Sequence, residues 1–159
     1  MKRDPSPRRV FLKSSAAGLG TAAFGGPLVL SGTAAGSTAA NGKLNLALVG
    51  CGGQGRGVMR GLLAHGANLV ALCDPDQAMI DKARADAQKS GSVAAKDAKA
   101  YEDYRRLLDQ ASSFDAVLIG TPDHWHAPLC KAFMKAGKPV YCEKPLTHSV
   151  AEARELREL

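Results

Sequence analysis

Leu46-Ala-Leu-Val-Gly-Cys-Gly-Gly-Gln-Gly55 decides how this chain is read. A short apolar run leads directly into glycines at 50, 52 and 55, with a helix-compatible stretch behind them. G-x-G-x-x-G at the end of a strand is the phosphate-binding turn of a dinucleotide fold. Gly50 allows the tight turn, Gly52 lets backbone approach a pyrophosphate, and Gly55 lets the helix lie close to the sheet. Gly53 and Gln54 open the helix, so their amides face the same phosphates.

Working outward, Lys43–Val49 reads as a first strand buried on both faces. Asn68-Leu-Val-Ala-Leu-Cys-Asp74 reads as a second strand that ends on a carboxylate 24 positions after Gly50. That spacing suits a carboxylate accepting from the adenosine ribose hydroxyls, which would repel a 2′-phosphate. NAD is therefore expected over NADP, with Arg56 the one feature on the NADP side. Asp74 as a plain turn residue before Pro75 is the alternative, and Asp76 is either a second participant or the start of the next helix. Residues 76–90 form an Ala-rich charged helix with Met79, Ala83 and Ala87 inward. Residues 92–100 leave two readings open, a short third strand near Val93-Ala94 or, given the polar 96–99 run, a loop; a helix over 101–110 follows.

Phe114–Gly120 reads as the fourth strand. It runs into Thr121-Pro-Asp-His-Trp-His-Ala-Pro128. Open parallel sheets bind ligands beyond the carboxyl ends of their strands, so a loop carrying Asp, two His and Trp there is a candidate site. Trp125 suits either packing or stacking near a nicotinamide or sugar. The 129–136 stretch is helical and ends at Gly137. Residues 138–142 form a fifth strand ending in Glu143-Lys144-Pro145 at the same edge. The Lys144 amine can steady a developing alkoxide or share proton movement. Ser149 and Glu152 form a capping box for a last helix. Asp123, His124, His126 and Glu143 match no metal-ligand spacing, and no metal is expected.

The whole chain has 159 residues and a formal net charge of +6. Lys2, Arg3, Arg8, Arg9 and Lys13 stand against Asp4 alone in the first 40 residues, so most of the excess sits there. The rest is near balance and lacks basic–aromatic interleaving, which argues against nucleic acid. Cys51, Cys73, Cys130 and Cys142 fit no zinc or disulfide framework, and the three in or beside expected strands read as small buried hydrophobes. No run of 18 apolar residues occurs. Residues 1–40 read as a leader: Arg8-Arg9-Val-Phe-Leu-Lys13, an apolar stretch broken by glycines and Pro27, then small residues at 31–35 and 37–40 where cleavage would fall. The paired arginines resemble a twin-arginine export signal. A folded protein would then be exported with its cofactor inside, to the periplasm or beyond, and stay membrane-tethered if the leader is uncut.

Three stretches in order, Val49-Gly-Cys-Gly-Gly-Gln-Gly55, Thr121-Pro-Asp-His-Trp-His126 and Cys142-Glu-Lys-Pro-Leu146, resemble the N-terminal domain of the Gfo/Idh/MocA oxidoreductases, from about Leu44 to Leu159. Asp103-Tyr104-Arg105 fits as well. The resemblance implies an α/β fold, a doubly wound parallel sheet, with residues 41–159 forming a Rossmann-type NAD(P)-binding domain. It implies pyrophosphate at Gly50, Gly52 and Gly55 and adenosine ribose at Asp74. Thr121, Pro122, His124 and His126 then line the nicotinamide side, Glu143 contacts the cofactor, and Lys144 is the catalytic lysine. The implied reaction is hydride transfer between the nicotinamide and a sugar, cyclitol or related substrate. One branch instead cleaves glycosides with a bound NAD, without the usual carboxylate pair. The family continues into a second domain carrying substrate residues and usually the oligomer interface. On this reading the chain is truncated before that domain and before the sixth strand. It would be inactive alone, or a non-catalytic nucleotide-binding remnant, and a homo-oligomer only if full length.

Overall fold

The computed structural model describes residues 42–159. The leader reading falls on residues 1–40, outside the described residues. Five strands run in chain order: β1 (Asn45–Val49), β2 (Asn68–Cys73), β3 (Lys99–Tyr101), β4 (Ala116–Ile119) and β5 (Val140–Cys142). All pair in parallel in the order β3-β2-β1-β4-β5. The order reverses at β1, whose carboxyl end carries the glycine turn. That reversal opens the crevice in which such sheets bind ligands.

The helices are α1 (Gly53–Ala64), α2 (Gln77–Lys89), α3 (Tyr104–Leu108), α4 (His126–Lys135) and α5 (Val150–Arg157). Strand side chains alternate between faces, and the helices cover both. Leu46, Leu48, Leu69, Leu72 and Leu118 join Met59 and Leu63 of α1 and Ile80, Ala83 and Ala87 of α2. Ala47, Val49, Ala71, Val117 and Ile119 join Leu107 of α3, Leu129, Cys130 and Phe133 of α4, and Leu156 of α5. Phe133 in this cluster meets Phe114 edge to face at 6.2 Å. This is the doubly wound parallel sheet expected from the strand runs.

The helix ends follow their local chemistry. Asp76 accepts from the Ala78 N–H at 2.8 Å and caps α2. Asp103 accepts from the Arg105 N–H and caps α3. Ser149 and Glu152 satisfy each other's backbone donors, as the capping box requires.

The third strand does not lie near Val93-Ala94. Val93–Lys96 is a 3₁₀ turn with Val93 88% exposed, and β3 lies at Lys99–Tyr101 instead. The cause is Arg84 of α2. Its Nη1 donates to the carbonyls of Ala95 at 3.0 Å and Ala98 at 2.7 Å, which gathers this connection against the helix. The polarity of Lys99 that suggested a loop belongs to an edge strand, whose side chains face water. The next helix is also shorter than expected: Asp103 starts it two residues after β3, and the chain turns again at Ala111–Ser113.

Three glycines hold the centre of the edge together. Gly50 adopts φ +88°, and a Cβ there would lie 2.6 Å from the Gly120 carbonyl carbon. A Cβ on Gly55 would fall on the Gly50 carbonyl oxygen, and one on Gly120 would lie 2.5 Å from Gly55 Cα. The start of α1, the end of β1 and the end of β4 therefore cross backbone on backbone. Gly120→Ala is expected to destabilise the protein by about 2–3 kcal/mol, because backbone cannot yield as a side chain tip would. Gly57→Ala on α1, where a Cβ meets nothing within 4 Å, is expected to stabilise it by roughly 0.5–1 kcal/mol. Thermal melts of the two variants against the parent check both signs.

Candidate functional site

The glycine turn is shaped to receive an anion. A Cβ on Gly52 would have no neighbour within 4 Å, so space stands open beside this backbone. No side chain caps the start of α1 and its first turn holds no acid. The first amides of a helix lack intrahelical partners and carry the positive end of its dipole. They face the position where a pyrophosphate would bind.

Asp74 stands next to this turn at the end of β2. Its Oδ2 accepts from the Cys51 N–H at 2.8 Å and its Oδ1 from the Asp76 N–H at 2.9 Å. The carboxylate is thereby fixed against the glycine turn, and each oxygen keeps a further lone pair for a ribose hydroxyl. Arg56 faces elsewhere. Its Nε pairs with Asp86 of α2 at 3.1 Å and its Nη1 donates to the Cys51 carbonyl at 3.0 Å. The guanidinium fastens the turn to α2, which takes away the one feature that favoured a 2′-phosphate.

A cavity of about 660 Å³ runs along the carboxyl ends of β1, β2, β3 and β4. Gly50, Gly52, Asp74, Thr121, Pro122, His124 and Trp125 all line it, so the structure brings together most of the expected cofactor residues. The Thr121 hydroxyl is buried there without a hydrogen-bond partner among the described residues. An unsatisfied hydroxyl and an open glycine cradle both fit a polar, phosphate-bearing cofactor. Trp125 is 40% exposed and meets Tyr104, just after β3, edge to face at 6.1 Å. Its ring therefore leans toward the Asp74 end of the cavity. Pro75, Met79 and Tyr104 also line this end. Sequence reading gave no site role to them or to Gly120. Gly120 had a usable signal in its place immediately after β4, while Tyr104 follows a strand that the sequence pattern does not reveal and Met79 is brought in only by the packing of α2.

Glu143 and Lys144 sit apart from that cavity, beyond β5. The Glu143 N–H donates to the Ile119 carbonyl at 3.0 Å, and its Oε2 accepts from Gln54 Nε2 at 3.2 Å. Gln54 thus links the α1 turn to the Glu143 loop. Lys144 is exposed and makes no ion pair among the described residues. The Lys144–Pro145 peptide is cis. His126 opens α4 and is only 1% exposed. Its Nδ1 lies 2.7 Å from the Pro145 carbonyl oxygen and its Nε2 2.9 Å from that of Thr121. Both are acceptors, so the ring meets them as a donor: one N–H satisfies one carbonyl, and a doubly protonated ring satisfies both. The structure thus places His126 behind the site, between two of its loops, and His124 at the cavity wall.

The family model for the Gfo/Idh/MocA oxidoreductases, described as an oxidoreductase family with an NAD-binding Rossmann fold, matches residues 44–159. The chain belongs to this family. A glycosyl hydrolase family 109 protein of Parabacteroides distasonis is 35% identical over 83% of the chain and 30% of its own length. Inositol 2-dehydrogenase 1 of Saccharopolyspora erythraea is 36% identical over 69% of the chain and 31% of its own length. The crystal structure of an NAD-binding oxidoreductase from Klebsiella pneumoniae superposes with a TM-score of 0.58 at 34% identity, over 73% of the chain and 31% of that structure. The chain spans about a third of the length of these relatives. NAD is the cofactor of this Gfo/Idh/MocA domain, and the glycine turn, the Asp74 carboxylate and the Thr121 hydroxyl are the groups that fit it.

Two thiols beneath the turn respond to the same surroundings. Burial, then the Asp74 charge, pushes Cys51 up from its ordinary 9.0 to about 12. Burial, then Asp74 and Asp103, does the same for Cys73. Both stay neutral near pH 7. The unfolded chain ionises these thiols from about pH 9 while the folded chain holds the protons to about pH 12, so stability is lost as pH rises through that window. Melting temperatures followed upward from about pH 8 should fall, and less steeply in a Cys51→Ala/Cys73→Ala variant. Equal slopes would show that the thiols do not contribute.

Proposed function

We propose that this domain is the cofactor-binding part of an NAD-dependent oxidoreductase that moves a hydride between the nicotinamide and a carbinol carbon of a sugar, cyclitol or related substrate. The observation that carries the reading is one sheet edge holding both an Asp74 carboxylate fixed at an open glycine cradle and an exposed Lys144 on a clamped loop.

The division of labour follows from the residues. Backbone amides at Gly53, Gln54 and Gly55 take the pyrophosphate, Asp74 the adenosine ribose, and Thr121 and Pro122 the wall opposite. When bound, NAD supplies the hydride acceptor. Glu143 is tied to Gln54 and borders the nicotinamide side. Lys144 donates a hydrogen bond to the substrate oxygen and stabilises the alkoxide as it develops. Trp125 and His124 shape the cavity mouth. The remaining substrate contacts are proposed to come from beyond residues 42–159, which fits relatives about three times as long. Oligomerisation in the full-length protein belongs to the same proposal. Export is proposed from Arg8-Arg9 and the small-residue stretch behind them, with the twin-arginine machinery as partner and the periplasm as destination.

The second reading is NAD-dependent glycoside cleavage. It is favoured by the 35% identity to the Parabacteroides glycosyl hydrolase over most of the chain. The two readings separate by product. The full-length protein with NAD and myo-inositol should accumulate NADH if it is a dehydrogenase. With an aryl glycoside it should release the aglycone without net NADH if it is a glycosidase.

Two further outcomes test the site itself. NADH should bind at least about tenfold more tightly than NADPH, because Asp74 repels the 2′-phosphate and Arg56 is held by Asp86. Parallel titrations giving equal affinities would remove Asp74 from the ribose. Lys144→Ala should lower kcat by about 100-fold or more and leave the NADH Kd unchanged, as expected for a group acting on the reacting oxygen. Unchanged turnover would take Lys144 out of the chemistry.

A further inference from the structure

The backbone on both sides of Lys144 is fixed, while its side chain is not. Before it, the Glu143 N–H is bound to the Ile119 carbonyl at the end of β4, and the Glu143 carboxylate to Gln54. After it, the Pro145 carbonyl is bound to His126. The other ring nitrogen of His126 lies 2.9 Å from the Thr121 carbonyl oxygen, in the loop whose hydroxyl lines the cofactor cavity, and the ring donates to both carbonyls when both nitrogens carry a proton. The imidazole is a rigid planar spacer with its two nitrogens on opposite sides. Being buried, it meets little competition from water for either carbonyl. Neither carbonyl has another partner in the hydrogen bonds of the described residues. Its place as the first residue of α4, whose Leu129, Cys130 and Phe133 are anchored in the core, fixes the spacer to the scaffold.

We infer that His126 is a positioning residue: a buried strut between the Thr121 loop and the Pro145 carbonyl that sets where the Lys144 amine stands relative to the bound cofactor. The inference rests on the reading of Lys144 as the catalytic amine. It differs from a contact between His126 and the nicotinamide, because both ring nitrogens face backbone carbonyl oxygens, at 2.7 and 2.9 Å. It also differs from a core histidine that only stabilises, because the two segments it joins are the two loops flanking the site and not elements of the sheet.

The test uses the full-length protein with His126→Phe, which keeps a planar ring without donors, and His126→Asn, whose amide nitrogen can still donate to one of the two carbonyls. Amide hydrogen exchange followed by mass spectrometry reads the strut directly. In His126→Phe, peptides covering 121–125 and 143–149 should exchange about tenfold faster or more, while those of β1 and β2 stay at the parent rate. His126→Asn should recover part of that protection. Kinetics with NAD and myo-inositol read its consequence. His126→Phe should lower kcat by about 30-fold with the NADH Kd within about threefold, and the loss should largely vanish in a Lys144→Ala background, since the two residues act through one amine. Unchanged exchange at 143–149 overturns the inference. So does an equal kcat loss with and without Lys144, and so does failure of both variants to fold, which would assign His126 to overall stability. If Lys144→Ala itself leaves turnover intact, or myo-inositol is not oxidised, the functional reading fails and the exchange result still judges the strut.

Discussion

Backbone touching backbone at Gly50, Gly55 and Gly120 is the constraint on which the rest of this domain depends. Three chain segments meet with no side chain between them, at the point where the strand order reverses. Any Cβ there would push α1 away from the sheet edge. The close approach puts the first amides of α1 directly over the crevice, where a dipole end and open donors attract phosphate. It also brings the end of β4 beside the end of β1, so that Thr121 stands next to the glycine turn and not a strand's width further off.

Asp74 joins structure to recognition. The carboxylate that would take the ribose also accepts the Cys51 N–H, and so closes the glycine turn from the side of β2. Its charge is felt in the core beneath, where it adds to burial in keeping the Cys51 and Cys73 thiols protonated. Arg56 completes the arrangement from behind by joining the Cys51 carbonyl to Asp86. A cation next to a phosphate-binding turn is commonly read as a phosphate ligand; here its partners on α2 make it part of the frame.

The proposed reacting side is organised by a different device. Lys144 is exposed and makes no ion pair among the described residues, yet both of its neighbours are held by hydrogen bonds to other elements. A flexible amine on a fixed base can follow a substrate oxygen while keeping its distance from the cofactor. The cavity at the ends of β1 to β4 and the Lys144 loop beyond β5 are separate places joined by two short links, Gln54–Glu143 and Thr121–His126–Pro145.

The sequence by itself determined the doubly wound parallel sheet, because apolar strand runs, the glycine pattern and the carboxylate after β2 are local signals with fixed spacing. It also placed Asp74, Thr121, Pro122 and His124 at the ligand edge, since they follow the ends of parallel strands. It did not determine β3: three residues of an edge strand carry too little apolar pattern to stand out, and their position is set by Arg84 reaching across from α2. Nor did it determine the direction in which His126, Arg56 and Trp125 point. One of two histidines two positions apart is buried between carbonyls and the other faces the cavity, a choice made by where α4 begins. Only the tertiary structure decided these, because hydrogen-bond partners 19 positions away in the chain are adjacent only once β4, β5 and α4 have packed.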